Sequence, residues 1–214
     1  MRKQFEQQME EMHLQMIRMG ALCEQAISQT NTALLEGDHE LANNTIALDR
    51  EIDLKEREIE SLCLKLLLQQ QPVAGDLRKI SAALKMITDM ERIGDQAADI
   101  AEISLLMEKA REGSIRSRLI REMAKATARM VTESIDAYVR QDLALATKVI
   151  KDDDIVDSLF DKIKGELIEN IRNGTSDGSN TVNILMIAKY FERIGDHATN
   201  IAEWVEFAVT GLKP

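Results

Sequence analysis

Residues Glu91–Glu102 read ERIGDQAADIAE, and 101 residues further on Glu192–Glu203 read ERIGDHATNIAE. An acidic, glycine-bearing twelve-mer written twice points to a duplicated unit, and two upstream blocks agree. ALLEGDHELANNTI (33–46) matches AYVRQDLALATKVI (137–150), and DREIDLKEREI (49–59) matches DDIVDSLFDKI (153–163), both at an offset of 104. Three blocks recur in one order with one small length change, so the chain is a tandem repeat of a unit of about 105 residues.

Each unit reads as three long helices. Apolar residues recur at helical spacing from about Phe5 to Leu35, pause at Glu36-Gly37-Asp38, resume from about Leu41 to Leu68 and stop at QQPVAGD. Pro72 and Gly75 mark the turn into a third helix that runs to about Ala110. In the second unit the breaks fall at Arg140-Gln141-Asp142 and in NGTSDGSN (173–180), and the junction between units is REGS around Gly113. Connections this short make sequential helices antiparallel. The expectation is an all-α protein of two tandem three-helix bundles, residues 1–110 and 111–214, six antiparallel helices in all.

Composition agrees and narrows the function. The 214 residues are 44% hydrophobic, enough for a packed core, and include 2 prolines and 10 glycines with 3% aromatics, a balance that favours helix over sheet. A formal charge of −10 argues against nucleic acid, because affinity for a phosphate backbone comes from clustered Lys and Arg. Cys23 and Cys63 form neither a CxxC nor a disulfide framework, which suits a reducing cytoplasm and a place in the core. No apolar run approaches the roughly 20 residues of a membrane span, and the N-terminus has no signal-peptide pattern, so any action at a membrane goes through a partner.

On a helical wheel Glu91, Asp95, Asp99 and Glu102 share an arc of roughly 80° that overlaps the margin of the apolar face. Glu192, Asp196, Asn200 and Glu203 repeat it. The second helix of each unit carries a matching pair, Asp49 and Asp53 in one and Asp153 and Asp157 in the other, again along an apolar edge. Like charges at i, i+4 repel, and more so when half-desolvated, so something should compensate. If antiparallel neighbours face each other, D-xxx-D on one helix meets E-xxx-D on the next, and the oxygen-rich pocket suits hard or borderline metal ions.

The plainer reading of such acids is a solvated helix face, and the residues alone leave both open. Gly94 and Gly195 cost about 1 kcal/mol each inside a helix relative to Ala, which close helix approach explains. Arg92 and Arg193 suit carboxylate pairing or an anion. His197 stands where the first copy has Gln96, so it is not an obligatory ligand, and His13 and His39 suit the surface. Tyr138 and Trp204 fit packing or an interface. Walker, GxSxG and HExxH signatures are missing, and the two E-x-x-H matches (Glu10–His13, Glu36–His39) lie away from the acidic stripes. A carboxylate-bridged metal oxidase or metal store, and a metal-free helical interaction protein, remain alternatives.

The run QPVAGDLRKISAALKMITDMERIGDQAADIAE (71–102), the second FERIGDHATNIAE, and the D-xxx-D helix before each resemble the PhoU family over nearly the whole chain. The resemblance implies a six-helix, non-enzymatic cytoplasmic regulator, a homodimer in many members. Such a protein restrains phosphate uptake and starvation signalling through the ATPase of a phosphate ABC transporter and a membrane histidine kinase. It also implies iron or zinc, in multinuclear clusters, at Asp49 and Asp53 with Glu91 and Asp95, and at Asp153 and Asp157 with Glu192 and Asp196. Asp99 and Asn200 extend the stripes as further metal-site residues, and Glu102, Glu203, Arg92 and Arg193 stand around the ligands. The Asp99/Asn200 mismatch puts equal metal content of the two groups in doubt.

Overall fold

The computed structural model describes residues 2–69, 72–107 and 118–212. Six helices account for nearly all of them: α1 (Arg2–Glu36), α2 (His39–Gln69), α3 (Ala74–Leu106), α4 (Arg118–Arg140), α5 (Leu143–Arg172) and α6 (Gly178–Thr210). There is no strand among the described residues. The expected unit boundary at 110/111, the end of the third helix near Ala110 and the junction around Gly113 lie outside them.

The helix breaks follow local chemistry. Between α1 and α2 the chain reverses at Gly37, in the left-handed region at φ 71°, and Asp38 caps α2 by accepting from the Glu40 and Leu41 amides at 3.0 Å. Its repeat partner does the same: Gln141 is left-handed at φ 52°, and Asp142 caps α5 by accepting from the Leu145 amide at 3.0 Å. The last break is shorter than the composition of 173–180 suggests, because Asp177 caps from within it and α6 starts at Gly178.

Each unit is a three-helix bundle in which all three helices touch, and the bundles join through α3 against α6 and α1 against α4. The α3–α6 seam is the most extensive helix pairing, while among the described residues the backbones of α2 and α5 pack only against their own unit. One apolar cluster runs through both units, from Met16, Met19, Met86 and Met90 to Ile187, Phe191 and Ile194. The two halves therefore share one core.

The repeat extends to buried polar ties. The Cys23 thiol donates to the Met90 carbonyl at 3.3 Å, and Thr127 at the equivalent place in α4 donates its hydroxyl to the Phe191 carbonyl at 3.4 Å. Both cysteines are buried and free, as their contexts suggested. His13 departs from expectation: it is half-buried, its Nδ1 lying 3.2 Å from the Tyr138 hydroxyl.

Candidate metal centre

The α2–α3 interface brings Asp49, Asp53 and Asp95 together, each with a carboxylate oxygen within 4.8 Å of the others. Close approach of the two helices makes this possible. At Gly94 a Cβ would stand 2.9 Å from Ile52 Cδ1 and 3.2 Å from Asp49 Oδ1, so α2 packs where a side chain on α3 would be. Gly195 plays the same part against α5, where a Cβ would lie 3.3 Å from Asp153 Oδ1 and 3.4 Å from Val156. The glycine of each ERIGD copy thus admits the first carboxylate of the facing D-xxx-D pair.

These carboxylates are under electrostatic pressure. Asp49 Oδ1 and Asp153 Oδ1 are buried with no hydrogen-bond partner, a costly arrangement for a charged acceptor. Burial, then the Asp95 and Asp53 charges, push the Asp49 carboxyl up to about 6 from its ordinary 3.8. Asp153 is likewise pushed up to about 6, by burial and then by Asp196 and Asp157. Glu91 rises to about 7 through burial and Asp95, with Arg92 pulling back. Asp157 and Asp196 are raised by burial and then by Glu192. A bound cation removes this repulsion and supplies the missing partners, so the donor set fits a hard metal ion.

The cations nearby differ between copies. Arg92 spans Asp95 at 2.9 Å and Glu91 at 3.3 Å. In the second unit it is Lys189 that pairs with Glu192, and the Lys189 Nζ also lies 5.4 Å from the centre of the Phe160 ring. The repeat partner of Lys189 is Thr88, whose hydroxyl is 3.5 Å from Glu56 Oε1.

Asp99 and Asn200 lie at the seam between the units. The Asn200 amide donates to Asp89 Oδ1 at 2.9 Å, and His197 Nδ1 meets the same oxygen at 2.9 Å. Tyr190 faces Asp99 from the other unit, and its hydroxyl offsets part of the upward push of burial on the Asp99 carboxyl. Asp89 and Tyr190 are repeat equivalents, as are Asp99 and Asn200, so the seam carries one acid in each crossing. Sequence reading missed Asp89 and Tyr190, although their joint change with Asp99 and Asn200 between copies was visible at the offset of 101.

Beside Asp49 and Asp95 opens a cleft of about 520 Å³, lined also by Asp99, Glu102, Arg92 and Arg193. Arg193 comes from the other unit, so the first unit's acidic group faces a guanidinium that its own repeat does not supply. Glu203 is half-buried on α6. A second cavity, about 590 Å³, lies between the N-terminal part of α1, the start of α3 and the ends of α4 and α6, away from both D-xxx-D pairs.

The PhoU domain model matches residues 16–104 and again 120–205. The chain is 38% identical to a phosphate-specific transport system accessory protein PhoU homolog of Clostridium acetobutylicum, over 98% of this chain and 96% of that one. It is 33% identical to the homolog of Pseudomonas aeruginosa, over 98% and 86%. The crystal structure of PhoU from Pseudomonas aeruginosa superposes with a TM-score of 0.92 at 32% identity, over 97% of this chain and 100% of that one. The phosphate transport system regulatory protein PhoU from Streptococcus pneumoniae shares the fold, with a TM-score of 0.90 at 24% identity over 98% and 99%. These relatives are named as accessory or regulatory proteins rather than enzymes. With both repeats matched and the similarity running the length of the chain, the protein belongs to the PhoU family.

Proposed function

We propose that this protein is a metal-holding accessory regulator of a phosphate-specific transport system, and that it restrains phosphate uptake and starvation signalling. Family membership and the names of its relatives support the transport role. The buried, partnerless oxygens of Asp49 and Asp153, at matching places in the two repeats, are the observation that carries the metal-holding part. Asp49, Asp53, Glu91 and Asp95 would hold ions in the first unit, and Asp153, Asp157, Glu192 and Asp196 in the second, with iron or zinc as the ions. A bound ion supplies positive charge that ties α2 to α3 and α5 to α6.

The protein acts in the cytoplasm as a homodimer, docking on the transporter ATPase and on the associated histidine kinase. No helix among the described residues is long and apolar enough to cross a membrane, which suits action through such partners. Regulation then requires different affinities for two states of a partner. The test is elemental analysis of protein purified without chelator, together with pull-down of the ATPase subunit by wild type and by an Asp49→Ala/Asp153→Ala variant. Stoichiometric iron or zinc, lost in the variant, and recovery of the ATPase by wild type support the reading. Metal-free wild type, or a variant with unchanged metal content, removes the metal assignment, and failure to recover the ATPase removes the docking.

A further inference from the structure

We infer that the cleft between the units binds inorganic phosphate once the carboxylates of the first unit carry metal, with Arg193 as the clamp; this rests on the metal-holding role proposed above. The cleft is open, about 520 Å³, and both ERIGD arginines line it, Arg92 from α3 and Arg193 from α6. The two are not in the same state. Arg92 is taken up by Glu91 and Asp95. Arg193 is exposed and within ion-pair distance of no carboxylate among the described residues, although Asp99 and Glu102 line the same cleft. A guanidinium facing a cleft with its fork unfilled matches the geometry of a tetrahedral oxyanion.

Metal-free, the cleft repels anions. Its wall carries four carboxylates, Asp49, Asp95, Asp99 and Glu102, against two guanidinium groups. Ligation of Asp49 and Asp95 by one divalent cation cancels that excess of negative charge, and a trivalent ion or a second cation makes the wall positive. The bound cation would also compete with Arg92 for Asp95 and so free guanidinium donors at the cleft. The anion and the metal ions therefore stabilise each other's binding, and the coupling is reciprocal. The arginine that completes the site comes from the other repeat, so phosphate occupancy bears directly on the α3–α6 seam.

Equilibrium dialysis with radiolabelled inorganic phosphate, on protein of measured zinc content, tests this. Zinc-loaded wild type is expected to bind phosphate at least about tenfold more tightly than chelator-treated protein, and Arg193→Ala at full zinc content to lose about tenfold or more. Arg193→Lys should recover part of the loss, which a merely structural role in the seam would not produce, and thermal melts of each variant report folding separately. Zinc-loaded wild type that binds no phosphate, or an Arg193→Ala variant that binds it unchanged, overturns the proposal while leaving the metal role standing. Protein that takes up no zinc or iron overturns both.

Discussion

Asp49 and Gly94 meet across the α2–α3 interface so closely that a methyl group on Gly94 would stand 3.2 Å from the Asp49 Oδ1. The same methyl would be 2.9 Å from Ile52 Cδ1, and Ile52 is fully buried, so it has little room to yield. Gly94→Ala gains about 1 kcal/mol of helix propensity but overpacks the interface at a cost of about 1–3 kcal/mol. The expected outcome is a net loss of stability and weakened metal uptake. At Gly195 the nearest contacts are 3.3 and 3.4 Å, so Gly195→Ala crowds its interface less and should cost clearly less than Gly94→Ala. Denaturant melts of the two variants side by side check the contrast, and an equal effect in both would refute this account of the glycines.

The seam between units makes a second prediction. Asn200→Asp places a carboxylate against Asp89 and removes a donor, and the variant should lose about 1–3 kcal/mol. In a chain of this size each kcal/mol lowers Tm by about 2–4 °C. Adding Asp89→Tyr copies the Tyr190–Asp99 crossing and should return part of the loss. A double-mutant cycle in which the two changes simply add would show that the residues are not coupled.

The turn after the first helix of each unit offers a third. Gln141 holds a left-handed backbone that its repeat partner Gly37 adopts without strain. Gln141→Gly is expected to stabilise the protein by about 1 kcal/mol, and Gly37→Ala to destabilise it by a similar amount. Thermal melts that move both variants in one direction would contradict the assignment.

The fold was legible because the duplicated blocks fix register and the breaks carry their own chemistry. Asp38 and Asp142 can be read as caps from sequence, and the ERIGD glycines announce close packing. The Asp49–Asp53–Asp95 group was legible for the same reason: antiparallel neighbours at a known offset leave little choice of face. The seam was harder to read. Asp99 and Asn200 look like a continuation of the acidic stripe on the wheel, yet their partners Tyr190 and Asp89 lie on the other unit, and a wheel drawn for one helix cannot show which neighbour covers its flank. Lys189 is different: its i,i+3 spacing to Glu192 on one helix was open to view in the sequence.

The raised carboxyls give the metal-free protein an unusual pH dependence. In the unfolded chain Asp49 and Asp153 titrate at an ordinary 3.8 and Glu91 at 4.5, whereas in the folded protein the aspartates titrate at about 6 and Glu91 at about 7. Between about pH 4 and pH 7 the folded state therefore holds protons that the unfolded state has released. Its stability is fully present below the lower values and falls as pH rises through the upper ones, the reverse of a protein held by salt-bridged acids. Chelator-treated protein should accordingly melt at a lower temperature at pH 8 than at pH 5, and a metal ion that replaces the lost protons should raise the Tm at pH 8. In Asp49→Asn/Asp153→Asn protein, two of the three most strongly raised carboxyls are neutral at every pH, so the decline should shrink. A chelated wild type whose Tm climbs steadily from pH 5 to pH 8 would mean that the acidic groups are relaxed without a cation, and the physical case for metal at these positions would go with it.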